Sequence, residues 1–506
     1  MNPRPVRWWP LIVLAVLWSA ALVWTWAAGE RTGQEKVTLT LATGVLALLL
    51  ALVWLLALSR LPWRRRFGGL ALIVGLGAAL SLALEFRGVS GNLVPILAWR
   101  WTDRGPEAIE RRATELAGPV ADYPQFLGPR RNATLPGPTL ARDWTAKAPR
   151  EIWRRPIGEG WSAFAVAGEV AVTQEQRGAD ELVTAYALAT GERLWAQADG
   201  ARYETGIAGV GPRATPTIDG DRVFTLGATG LLQALELATG RELWSHHLEE
   251  DFGGPTPDWG RPNSPLVVDG LVVVTVGRSA GGSLVAFDRD DGSVVWQGGS
   301  DGLGYSSPTL LELAGARQIV IFNRASVVGH HPADGRVLWS YPWSARQPNV
   351  ALPLAIGDDR LLVSSGYGEG AKLLEIVRRG DEFAVELIWE SRRLKAKFTN
   401  LVVHEGYVYG LDDGVLVCLD PATGERCWKQ GRYGHGQVLL VDDLLLVSTE
   451  KGEVALIDPD PSEHRELARF DALGGKTWNC PALAGRYLLM RNHQEAALFA
   501  LPLAGS

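Results

Sequence analysis

The chain has 506 residues, of which 47% are hydrophobic and 21% charged, and a formal charge of −6. That balance excludes global disorder, and only three cysteines exclude a disulfide-built scaffold or a four-cysteine zinc site within one chain. Length alone suggests about three domains, an estimate that fails for a ring of repeats.

The charge is unevenly spread. Residues 1–105 hold 11 Lys+Arg and 4 Asp+Glu, net +7; residues 106–506 hold 39 and 52, net −13. Three uncharged apolar stretches, 8–29, 37–59 and 67–84, lie near the N-terminus. The first two are long enough as helices to cross a hydrocarbon core of ~30 Å. The third is shorter and glycine-rich. Its Ala71, Gly75, Ala79 and Ala83 form either a small-residue stripe that admits a close helix or simply an alanine-rich helix. The length of the first stretch, and the second apolar stretch soon after it, argue against a cleaved signal peptide. Arg4, Arg7, Arg60, Arg64, Arg65 and Arg66 outweigh the balanced loop 30–36. The positive-inside rule then places the N-terminus and the loop 60–66 in the cytoplasm.

These features predict a three-helix transmembrane anchor over 1–90, with membrane contact through residues 8–84 and Trp8, Trp9, Trp24 and Trp26 as interfacial anchors. A juxtamembrane stalk follows over 91–149. It has an apolar run at 94–101 suited to the membrane surface, and one short helix over 106–116 stopped at Gly118-Pro119. Three crossings deliver the remainder to the far side of a bacterial inner (cytoplasmic) membrane, the periplasm.

From residue 150 onward the sequence repeats. The segments ALATGERLW (187–195), ELATGRELW (236–244), DRDDGSVVW (288–296), HPADGRVLW (331–339) and DPATGERCW (420–428) each place a glycine four residues before a tryptophan. A longer-turned copy ends at Trp389, and a degenerate one spans 458–470, where Leu467 is expected at the tryptophan position. Trp153 has the outer-strand pattern without a hairpin before it. Alternating apolar runs make strands, the Asx/Thr-Gly pair makes a tight turn, and the tryptophan covers the seam to the next sheet. One four-stranded unit cannot bury both faces, whereas a ring of them does. Seven units carry their own outer strand, and 476–502 supply inner strands without one. Pairing these with the strand at Trp153 predicts an all-β, eight-bladed propeller over 150–506, closed by its two ends.

The A-x-D-x-x-T-G-E-x-x-W pattern is similar to the tryptophan-docking repeat of the quinoprotein dehydrogenase superfamily, the PQQ-like propellers. DYPQFLGPRRN (122–132) resembles an opening common in membrane-anchored or secreted members. The resemblance covers 122–502. It implies one of two activities: a cofactor-free, protein-binding member such as the barrel-assembly lipoprotein, or a dehydrogenase using pyrroloquinoline quinone (PQQ) with Ca²⁺.

In propellers, ligands bind over the central channel near the starts of the innermost strands. Those starts carry Thr215, Asn263, Ser264, Ser306, Ser307, Asn400, His435 and Asn479, with Arg213 and Trp478 beside them. These ten residues are the candidate channel-mouth ring, able to hold a quinone, a small ligand or ordered water; alternatively the hydroxyls only satisfy nearby backbone groups. Tyr305 and Lys397 lie close by. The adjacent cysteine pair that alcohol-oxidising members carry is absent, and no Ca²⁺-binding trio can be assigned. Cys418 and Cys427 flank the turn at 420–425 symmetrically. They are expected to face each other, either as a cross-strand disulfide or as free thiols.

No metal site is predicted. Asp288–Gly292 lacks the spacing of a calcium loop, and His246-His247 and His330-His331 point to opposite strand faces. The net −13 of residues 106–506 argues against nucleic acid and against anionic lipid surfaces. The functional expectation is a membrane-anchored periplasmic propeller that binds a cell-envelope protein or small periplasmic ligand as an assembly scaffold. The alternative is a PQQ-dependent alcohol or sugar dehydrogenase delivering electrons to membrane quinone.

Overall fold

In the computed structural model, residues 5–29, 31–101, 116, 118 and 120–505 are described. They fall into two compact units, 1–104 and 105–506. The predicted stalk helix at 106–116 lies almost wholly outside the described residues.

The first unit contains α1 (Trp9–Ala27), α2 (Gly33–Val53, continued by a wider turn over Trp54–Leu58) and α3 (Trp63–Ala83). All three are long and apolar enough to cross a membrane. A reciprocal cap starts α2: Thr32 Oγ1 accepts from Glu35 N at 3.2 Å, and the Glu35 carboxylate accepts from Thr32 N at 2.8 Å. Gly75, in the small-residue stripe of α3, has nothing within 4 Å of where a Cβ would stand. Most of the apolar run at 94–101 is a strand of a hairpin. That strand, Pro95–Trp99, pairs antiparallel with Leu84–Val89.

The second unit is an eight-bladed propeller. Blades 1 to 7 are antiparallel sheets over 165–199, 217–247, 266–298, 309–342, 354–391, 402–432 and 437–471. Blade 8 combines three strands over 482–500 with the outer strand Arg150–Pro156. The ring is thus closed by pairing of the propeller's two ends, as the orphan Trp153 strand predicted. Sheets packed on both faces need apolar residues on both faces. All five residues of Leu444–Ser448 are accordingly buried.

One feature recurs in all eight blades. On the outer strand, the residue just before the docking position is an extra residue, so the ladder has a bulge there. In blade 6 the extra residue is Cys427. Cys418 therefore pairs with Trp428 rather than with Cys427, which corrects the symmetrical register read from the turn. Cys418 and Cys480 are buried, Cys427 is exposed, and all three are free thiols. In blade 7 the bulge shifts the docking position to Ala468, with Leu467 as the extra residue. His464 occupies the glycine position of that turn and meets Trp428 edge-on at 5.5 Å.

The docking itself is directional. The indole nitrogens of Trp153, Trp195, Trp244, Trp296, Trp389 and Trp428 each donate to a backbone carbonyl at the next blade's turn, at 2.8–3.1 Å. Trp339 instead donates to Gln318 of its own blade.

Residues 122–144, part of the expected stalk segment, pack into the propeller. Tyr123 pairs with Val166 of blade 1, and the Pro124 carbonyl accepts from Ile218 N of blade 2. Thr134–Leu135 pairs parallel to the innermost strand of blade 7. Between them, the buried Arg131 donates to the carbonyls of Ser264 (3.0 Å) and Pro265 (2.9 Å) in blade 3. The DYPQFLGPRRN segment thus enters the channel from the end opposite the mouth.

Candidate functional site: the channel mouth

Inner strands start at the mouth, and six of the eight starts are preceded by predicted polar residues. The structure does bring these residues into one ring. Their polar groups, however, bond from blade to blade. Ala163 N donates to Thr215 Oγ1 (3.4 Å), Thr215 N to Ser264 Oγ (2.9 Å) and Ser264 N to Ser307 Oγ (2.9 Å). Ser306 Oγ donates to the Ala351 carbonyl (3.2 Å), and Leu352 N to Asn400 Oδ1 (2.9 Å). The Asn263 amide nitrogen donates to the Gly304 carbonyl at 3.3 Å, and that of Asn479 to the Ser162 carbonyl at 2.9 Å. Buried backbone groups must be paired, and strand starts at blade junctions lack ladder partners. The ring supplies those partners across the junctions. The backbone-satisfying alternative thus describes these contacts, between blades rather than within one strand.

Arg213 folds back on its own loop, donating to the Ala208 (3.2 Å) and Gly209 (3.1 Å) carbonyls and lying 4.9 Å from the Tyr203 ring centre. Burial lowers its pKa to about 10.

The side chains left at the mouth are aromatic and cationic. Trp161 and Trp478 lie 4.9 Å apart, Phe398 is 5.0 Å from Trp478, and His435 is 5.1 Å from Phe398. These rings are tilted to one another rather than forming one flat floor. Lys476 Nζ lies 4.2 Å from the Trp478 ring centre and 4.8 Å from that of Trp161; Lys397 Nζ lies 4.6 Å from Tyr367. Burial pulls both lysines down to about 8. Burial, then the Lys397 charge, pushes His435 to about 4. Glu450 accepts from Trp478 Nε1 at 2.9 Å and from His435 N at 3.2 Å.

Of these, Phe398, Lys476 and Glu450 escaped sequence reasoning. Lys476 stands two residues before the predicted Trp478, so the strand-start pattern pointed to it. Glu450 lies on a turn between second and third strands, which that pattern does not sample. Among the described residues, no three His, Cys, Asp or Glu side chains gather in a way that could hold a metal ion.

Comparison with known proteins bears directly on this architecture. Residues 179–430 match the family model described as "Outer membrane protein assembly factor BamB". The chain belongs to the PQQ-like β-propeller family. The PQQ-like propeller is 25% identical to the outer membrane protein assembly factor BamB of Moranella endobia (strain PCIT), over 48% of this chain and 63% of that protein's length. It is 29% identical to the quinohemoprotein alcohol dehydrogenase ADH IIB of Pseudomonas putida, over 26% of this chain and 20% of that enzyme. In structure it resembles BamB from Moraxella catarrhalis, with a TM-score of 0.52 at 14% identity, covering 71% of this chain and 99% of the other. That last likeness shows the fold.

Proposed function

We propose that the PQQ-like propeller is a membrane-anchored scaffold of the cell envelope that binds a protein partner, as an assembly factor. Its anchor lies in the inner membrane, with the N-terminus cytoplasmic and the propeller periplasmic. The observation that carries this reading is the use of the mouth ring. Thr215, Ser264, Ser307 and Asn400 join blades to one another, and the same side chains are not offered to a ligand. The BamB family model and the Moranella relative support the same reading, and three apolar helices support anchoring.

The dehydrogenase alternative requires Ca²⁺ held by carboxylate and amide oxygens beside a quinone, together with a carboxylate base. The residues present do not fit that requirement. Glu450 is bound to Trp478 and to the backbone of His435, and no metal-binding acid group assembles among the described residues. No catalytic step is derived through the quinone.

Crosslinking in intact envelopes, followed by purification of the full chain and mass spectrometry, tests the scaffold reading. An envelope assembly protein enriched over an unrelated inner-membrane protein is expected. Recovery of the chain alone under several crosslinker lengths contradicts the reading.

A further inference from the structure

The mouth face carries a second feature, away from the central ring. A groove of about 630 Å³ runs between blades 3 and 4 toward blade 5, lined in part by Arg278, Arg324, Arg346, Tyr305 and Asp258. The three arginines come from three different mouth loops, and all three are exposed. Among the described residues, none of their guanidinium groups has a hydrogen bond, ion pair or ring contact. On the opposite face, a groove of about 710 Å³ also contains arginines; there Arg317 pairs with Asp269 at 3.0 Å, Arg378 donates to the Gly380 and Gly315 carbonyls, and only Arg336 has a guanidinium with no partner among the described residues.

Three unneutralised guanidinium groups around one concavity repel one another, and on a unit of net −13 they stand out against the overall charge. Asp258 is the one acid lining the groove, and it does not pair with any of the three. Arginine presents a planar fork of donors that matches clustered anionic oxygens, two at a time. We infer that this groove is an anion site for a ligand carrying clustered phosphate oxygens, either a soluble phosphate compound or a phospholipid headgroup. The groove adjoins the ring at Tyr305, does not include Lys397 or Lys476 in its lining, and stands whether or not the scaffold reading does.

The test uses the full chain in detergent micelles, titrated calorimetrically with inorganic pyrophosphate. One-site, saturable, salt-sensitive binding is expected. Each of R278Q, R324Q and R346Q should weaken it about tenfold, in line with one charge-assisted hydrogen bond, and the triple variant should abolish it. R336Q, on the opposite face, should leave it unchanged. Because the three side chains hold nothing in the fold, the unfolding midpoints of the variants should match the parent. A second arm measures sedimentation with phosphatidic acid or phosphatidylcholine vesicles. Arginine-dependent binding to phosphatidic acid vesicles, with weaker binding of pyrophosphate, identifies the headgroup as the source; the reverse identifies a soluble compound. Absence of both, equal binding by the triple variant, or tighter arginine-dependent binding of triglutamate than of pyrophosphate overturns the inference.

Discussion

The indole of Trp153, on the first strand of the propeller, lies against Gly191 of blade 1. Its Nε1 donates to the Leu188 carbonyl at 2.8 Å, and a Cβ on Gly191 would stand 2.8 Å from the ring. The two ends of the propeller are joined by the shared sheet of blade 8, and this docked indole fastens blade 8 to blade 1.

Gly191→Ala meets two penalties, a φ of +66° and the indole ring. A loss of about 2–4 kcal/mol is expected. Gly380→Ala has the same φ of +66° but open space around the new methyl, and should lose only about 1 kcal/mol. Denaturant unfolding followed by tryptophan fluorescence distinguishes them; equal losses would contradict the docking account.

Arg131 is buried, and burial lowers its pKa to about 9. Arg131→Met removes the donors to the Ser264 and Pro265 carbonyls; Pro265 keeps the Thr217 hydroxyl as a donor, and the Ser264 carbonyl loses its side-chain partner. A loss of about 2–4 kcal/mol is expected. Arg130→Met, at an exposed neighbouring position, should change stability by less than about 0.5 kcal/mol. The comparison measures how firmly the 122–135 segment is built into the channel.

Glu181 is buried, and desolvation raises its pKa to about 7, with the Asp199 charge adding to the rise and Arg213 opposing it. The folded state then holds a proton that the unfolded state has released between pH 4.5 and 7. Its stabilising contribution is complete below pH 4.5 and is lost as pH rises to 7, by at most about 3 kcal/mol. Glu181→Gln keeps an acceptor for Ala228 N and should abolish that decline. His435, lowered to about 4, acts in the opposite sense. Its contribution is lost as pH falls from 6.5 to 4, so the parent-minus-E181Q difference is the quantity to follow. A difference that does not vary between pH 4.5 and 7 would contradict the burial assigned to Glu181.

The bulge in blade 6 exposes Cys427, whereas Cys418 and Cys480 are buried with thiols raised to about 12, by desolvation first. Brief maleimide treatment of the native protein should label Cys427 alone, and all three should react after unfolding without reductant. Mass spectrometry reads both. A single label after unfolding would instead reveal a Cys418–Cys427 disulfide.

The architecture was legible because its signals are local and repeated. Each glycine-to-tryptophan spacing encodes one turn and one docking contact, and the unpaired Trp153 strand left a single way to close the ring. The bulge was not legible, since an extra residue leaves no mark in an apolar alternation. This moved the pairing of Cys418 by one residue and put Ala468 where Leu467 was expected. The ring residues were found for the right topological reason, but their partners are backbone groups of adjacent blades. Contacts between blades depend on how sheets are rotated about the channel, and a single blade's sequence does not carry that rotation. Arg278, Arg324 and Arg346 are likewise 46 and 22 residues apart and meet only through the ring.

The most direct test of the scaffold account is reconstitution of the purified full chain with PQQ and Ca²⁺, followed by desalting and measurement of quinone absorbance. The account predicts no retained quinone. One equivalent of bound quinone per chain, with dye-linked oxidation of an alcohol or sugar, would contradict it.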